Sequence, residues 1–307
     1  MLHILTLLLS VLLMTSCGGQ QSRPTMEEAP RPRLFVPAVV PATIPQEECA
    51  GWMKQHYWDR FDFQDTTFLM QTDTMHMIES YARYVAMLFD EPTNGAPIDS
   101  LMKKASSSRM MLDYFAWLGS EVLHDPNSPL RNDEFYIPVL RAVLASPYYN
   151  DYERIAPQFD LEMALQNRVG ERANNIKYRL ASGRWGTLYG VRAEYTLLFI
   201  NNPGCPMCRE IREAIISSPM LSEMIERGRL KVLAIYPDED LTEWREYQSQ
   251  IPQSWINGYD VDCQMRETGS YDLVAIPALY LLDKEHRVLV KDATDVSYIE
   301  EIIDRRS

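Results

Sequence analysis

The chain has little positive charge, few cysteines and, beyond its first residues, no long apolar run. A helix needs about 20 consecutive apolar residues to cross a bilayer, and no later stretch approaches that length. Lysine and arginine number 30 against 43 aspartates and glutamates, a formal net charge of −13 at pH 7. That balance argues against nucleic-acid binding and against docking on anionic lipid through a basic patch, and leaves solubility as its plain use. Of five cysteines, only Cys205 and Cys208 lie close together. A structural zinc site wants four Cys or His ligands, usually as two close pairs. The second pair is absent, and His56, His76, His124 and His286 show no ligand spacing to the first. No internal repeat divides the chain.

At the N-terminus, Met1-Leu2-His3 precede an apolar run from Ile4 to Met14. The run is short for a membrane span and suits a cleaved secretory signal over residues 1–16. Thr15-Ser16-Cys17-Gly18, small residues before a cysteine and glycine after it, resembles the lipobox of bacterial lipoproteins. The resemblance implies cleavage before Cys17 and lipidation of its sulfur. The body would then be anchored in the bacterial cell envelope, on the periplasmic or outer-membrane face. An ordinary signal peptide with an incidental cysteine is the alternative. Residues 17–48 carry prolines at 24, 30, 32, 37, 41 and 45, and read as a stiff tether with little to bury.

Residues 49–175 have helical periodicity and read as an all-α domain. One helix is expected from Phe68 to Phe89. Another starts at Asp99-Ser100 and runs toward Leu123, and a third covers Phe135 to Leu144 with Pro138 in its first turn. A fourth spans Phe159 to Asn174. The frequent methionines and aromatics are core packing in this reading.

Residues 176–307 change pattern. Ile176–Leu180 and Gly186–Val191 read as short strands. An apolar strand then ends near Ile200, directly before Cys205-Pro206-Met207-Cys208 and a helical segment. A Cys-x-x-Cys at a strand-to-helix turn sets its first sulfur at a helix N-terminus, where unpaired N–H groups and the helix dipole favour a thiolate. Leu230–Tyr236 is an apolar strand suited to the middle of a sheet. Helices follow at Leu241–Gln250 and Gln264–Tyr271. Ala278–Leu282 and Arg287–Lys291 form a hairpin, and Val296–Asp304 closes as a helix. This order implies a parallel pair extended by antiparallel strands, with helices on both faces.

Two stretches, Leu197-Leu198-Phe199-Ile200-Asn201-Asn202-Pro203-Gly204-Cys205-Pro206-Met207-Cys208-Arg209 and Tyr271-Asp272-Leu273-Val274-Ala275-Ile276-Pro277-Ala278-Leu279-Tyr280-Leu281-Leu282-Asp283, resemble the thioredoxin fold. They are most similar to membrane-anchored thiol–disulfide oxidoreductases of the TlpA and ResA type. The expected class is thus an α/β thioredoxin-like fold, C-terminal, preceded by the all-α domain. The front half, including His56-Tyr57-Trp58-Asp59-Arg60-Phe61, resembles a helical domain of unknown function found before such folds in Gram-negative lipoproteins. The resemblance implies that Cys205 is the nucleophile, Cys208 the resolving thiol and Pro277 a cis-proline beside the sulfurs. It implies protein disulfide or dithiol substrates and a redox partner supplying or accepting electrons, with no cofactor and no metal. The family's tryptophan before the first cysteine is missing, and Ala278 follows Pro277 where threonine is common. Copper delivery would want a wider cysteine spacing and a nearby histidine.

Alternatives stay open at this level. Without the Cys-x-x-Cys upstream, an ordinary strand-start proline would be the better account of Pro277. Cys49 and Cys263 can pair across the domains or remain free thiols. A non-catalytic binding lipoprotein using the thioredoxin-like part as scaffold is the rival to an enzyme.

Overall fold

Helices come first in the chain because residues 49–164 repeat their apolar side chains every three or four positions. The computed structural model describes residues 32–306, so the expected signal peptide and Cys17 lie outside the described residues. The helices are α1 (Cys49–His56), α2 (Thr67–Gln71), α3 (Thr74–Ala86), α4 (Ala96–Ala105), α5 (Arg109–Leu123), α6 (Asp133–Ala145) and α7 (Ile155–Ala164). The single helices expected over 68–89 and 99–123 are each two. Asp73 accepts the His76 N–H and Ser108 accepts the Met111 N–H, each from an extended backbone. Such a cap satisfies one helix start and breaks whatever preceded it. Asn132 likewise caps α6 at Phe135, so the helix starts earlier than expected and Pro138 falls in its second turn. Gly95 packs there, where an added Cβ would meet the Glu134 carbonyl at 2.7 Å. α7 also starts early, with Pro157 in its first turn, and it ends at Ala164 rather than Asn174. Asn167, in left-handed backbone (φ 50°), turns the chain away.

Met77, Tyr81, Phe115, Leu112 and Phe135 are fully buried at the centre of these helices. The tether reading fails from Arg33 onward. Phe35 is 4% exposed and stacks on Trp58 with centroids 4.7 Å apart, and its carbonyl lies 2.7 Å from His76 Nε2. One buried phenylalanine contributes about 1.5–3 kcal/mol, which adds to the Arg33 N–H bond to Gln71 O and the Arg33–Asp65 pair in tying this segment to the helices.

The second half is a seven-stranded sheet in the order β2-β1-β5-β4-β3-β6-β7. Its strands are β1 (Lys177–Leu180), β2 (Trp185–Thr187), β3 (Tyr195–Ile200), β4 (Leu230–Tyr236), β5 (Ile256–Asp260), β6 (Ala278–Asp283) and β7 (Val288–Ala293). Its helices are α8 (Pro206–Ser217), α9 (Pro219–Glu226), α10 (Leu241–Tyr247), α11 (Gln264–Glu267) and α12 (Val296–Asp304). β3, β4 and β5 run parallel, so the expected parallel pair is three strands. β5 escapes the sequence reading because Asn257 and Gly258 interrupt it. The gap is filled by the Tyr178 ring on β1, which lies 2.5–2.7 Å from where Cβ atoms would stand on Gly186 and Gly258. Along β3 the faces alternate. Leu197 and Phe199 enter a core with α8, α9 and α12, while Leu198 and Ile200 join Tyr178, Met265 and Tyr271.

The connection between the halves lies along β7. Gly170 N–H donates to Val288 O at 2.8 Å, Val288 N–H to Glu171 O at 2.8 Å, and Ala173 N–H to His286 O at 2.9 Å. No helix among the described residues is long and apolar enough to cross a membrane.

Candidate active site

β3 delivers the chain into the turn that carries both cysteines. Asn201, buried, donates from Nδ2 to Phe199 O (3.1 Å) and Ile235 O (3.4 Å), tying the turn to β4. Gly204 has φ 73°, a conformation that side chains resist. Cys205 is the N-cap of α8, with φ −76° and ψ 116°, and its Sγ accepts the Cys208 N–H at 3.1 Å. The sulfur stands where a serine or aspartate oxygen caps other helices. Pro206 follows at the first helical position, where its missing N–H is no loss.

Cys205 is half-buried, Met207 is exposed, and Cys208 is fully buried. Cys208 Sγ accepts the Asn202 N–H at 3.5 Å. Burial, with the hydrogen bond to Cys205 behind it, pushes the Cys208 thiol up to about 12. Across from the helix start, the Ile276–Pro277 peptide bond is cis. The Cys205 thiol points to the Ile276 carbonyl at 3.8 Å. Cys205, Cys208 and Pro277 therefore meet in one place, at the C-terminal ends of the parallel strands.

The remaining cysteines do not join them. Cys49 and Cys263 are both free thiols, with Cys49 Sγ donating to Pro45 O at 3.3 Å and Cys263 buried. Among the described residues, no three His, Cys, Asp or Glu side chains converge as a metal-ligand set.

Two further groups flank the dithiol. Asn202 Nδ2 donates to Asp238 Oδ2 at 2.6 Å, and Asp238 pairs with Arg266. Arg212, 7% exposed, donates to the Tyr247 hydroxyl (2.7 Å) and Gln250 Oε1 (3.3 Å). Burial raises the Tyr247 hydroxyl pKa, Arg212 opposes that, and the two cysteines add to the rise. The signal for Arg212 is its place one helical turn beyond Cys208, on the buried face with Ile211 and Ile215. Asn202 and Asp238 follow the ends of adjacent parallel strands, a general place for sites in α/β sheets.

A family model described as "Domain of unknown function (DUF5106)" matches residues 16–167. The crystal structure of a thioredoxin-like protein from Bacteroides caccae ATCC 43185 has a TM-score of 0.83 and 39% identity, over 90% of this chain and 99% of that one. The C-terminal domain of an uncharacterized protein from Bacteroides fragilis NCTC 9343 is 48% identical over 45% of this chain and 98% of its own, with a TM-score of 0.44. A conserved protein of unknown function from Bacteroides fragilis is 36% identical over 46% of this chain and 99% of its own, with a TM-score of 0.42. No curated protein matches. Because the Bacteroides caccae likeness runs through the helices and the sheet alike, this chain belongs to the thioredoxin-like proteins that carry an N-terminal DUF5106 domain.

Proposed function

We propose that this protein is a thiol–disulfide oxidoreductase of the cell envelope, held at the membrane by a lipid on Cys17. The observation that carries the reading is the asymmetry of the dithiol. Cys205 is offered at a helix start beside the Ile276 carbonyl, 3.8 Å away, while Cys208 is buried one turn behind it. In the reducing direction the Cys205 thiolate attacks a substrate disulfide. A bond forms between Cys205 and one substrate sulfur, and the other substrate sulfur leaves as a thiolate that takes up a proton. Cys208 then loses its proton and attacks the Cys205 sulfur, which closes the internal disulfide and expels the second substrate thiolate. Two electrons pass to the substrate, and a dithiol partner returns them. The same steps reversed oxidise a substrate dithiol. The high pKa of Cys208 leaves the first attack to Cys205. The apolar run at Ile4–Met14 and Cys17 support the envelope location.

The second reading, a binding lipoprotein, is favoured by a cleft of about 500 Å³ in the helical domain, lined by Trp58, Tyr84, Leu88, Leu101, Lys54 and Lys104. One assay separates the two. With dithiothreitol as electron source, the protein is expected to accelerate reduction of insulin, and Cys205→Ser to abolish that acceleration. Cys208→Ser is expected to accumulate stable mixed disulfides. Equal rates for wild type and Cys205→Ser would overturn the enzyme reading and leave the binding one.

A further inference from the structure

The loop that ends in Pro277 is gripped by the helical domain. Its first part is tied by Asn167 Nδ2, which donates to Ser270 O at 2.7 Å, and by the Tyr271 hydroxyl, which donates to Asn174 O at 2.6 Å. Its second part depends on Asp272. One carboxylate oxygen of Asp272 caps the Val274 N–H at 2.9 Å, and the other accepts Arg131 Nη2 at 2.8 Å. The same Arg131 nitrogen reaches Asp292 Oδ2 on β7 at 3.0 Å, with the arginine side chain only 13% exposed. Lys291, next to Asp292, pairs with Asp133 at 2.7 Å and donates to Ala164 O (2.9 Å) and Gln166 O (2.6 Å). Beyond Asp272 the loop runs through exposed Val274 to the Ile276 carbonyl beside Cys205.

We propose that Arg131 is a positioning residue for substrate: by bridging Asp272 and Asp292 it fixes residues 272–276 as the edge on which an extended polypeptide lies while its disulfide meets Cys205. The inference rests on the oxidoreductase reading of this site, and it gives the helical domain a part in the chemistry. Both contacts come from one guanidinium nitrogen, whose two N–H bonds are held in the plane of the group and so fix both directions, whereas the ammonium of a lysine rotates freely on a flexible stem. A small disulfide has no backbone to lay along the loop and does not need the edge.

The test compares insulin with dithionitrobenzoate, a small aromatic disulfide, in the full mature protein. Arg131→Met is expected to raise KM for insulin about tenfold with kcat little changed, and to leave the rate with dithionitrobenzoate within about twofold. Arg131→Lys should recover part of the loss. Arg131→Met leaves Asp272 and Asp292 facing each other without a cation, so the split is measured again in Arg131→Met/Asp292→Asn. Asp272→Asn, which alters the loop side alone, carries the same expectation, and adding it to Arg131→Met should cost nothing further. An unchanged KM for insulin, or equal slowing of both substrates, overturns the inference. Wild type reducing neither substrate would overturn the oxidoreductase reading instead.

Discussion

Cys205 does two things with one atom, capping α8 and facing the Ile276 carbonyl, whereas Cys208 is set apart mainly by burial. A second burial effect acts on Asp292, whose side chain is 9% exposed. Loss of water raises its carboxyl from 3.8 to about 7. Arg131 pulls it down, Asp133 and Asp272 push it up, and Lys291 again pulls it down. The sign follows from linkage. The folded protein keeps a proton that the unfolded chain has released, so stability falls as pH rises from 3.8 toward about 7, and the full penalty is present above that value. Asp292→Asn should therefore flatten part of the decline between about pH 4 and pH 7 and be more stable than wild type at about pH 8. The amide oxygen can still accept from Arg131. Urea midpoints at a series of pH values read this directly, and an unchanged slope would refute it.

Among the elements, β5 depends on a neighbour for its side chain. Tyr178 on β1 covers Gly258 on one side and Gly186 on the other, so either glycine→Ala change would drive a methyl group into the ring. Overpacking of this kind costs about 1–3 kcal/mol. Gly258→Ala should lower stability by that amount in wild type and by clearly less in a Tyr178→Ala background, as denaturant titration of the four proteins would show. Equal costs in both backgrounds would place the strain elsewhere. The same arrangement explains what the sequence conceals. β3, β4 and β6 are legible because strands buried on both faces read as nearly continuous apolar runs, broken here only by Thr196, Lys231 and the terminal Asp283. β5 carries Asn257 and Gly258 because its packing is supplied from another strand, and no window along one segment reports that. Cys205 and Cys208 are legible because their chemistry is local to one turn. Pro277 is legible through its motif. Arg131 and Asp272 are not, since 141 positions separate them and only the packed loop brings them together.

At the scale of the whole molecule, the two halves share buried ion pairs: Arg131 with Asp272 and Asp292, and Lys291 with Asp133. Separating the halves would leave several of these charges without partners in a poorly hydrated seam, which is strongly unfavourable. Urea unfolding should therefore be one cooperative transition, with far-ultraviolet circular dichroism and tryptophan fluorescence coinciding. Two resolved transitions would contradict this. The connection laid along β7 has a further effect. An open sheet edge offers a row of unpaired amides and carbonyls that captures any extended chain in the wrong place. At His286–Val288 that row is already taken by residues 170–173, and beside the rest of β7 Lys291 reaches the first residue of α6 and the last of α7, while Arg131, just before α6, reaches Asp292. The opposite rim, β2, is three residues long. An extended chain arriving at this sheet therefore finds no long open rim to pair with, which limits edge-to-edge association with other proteins or with a second copy.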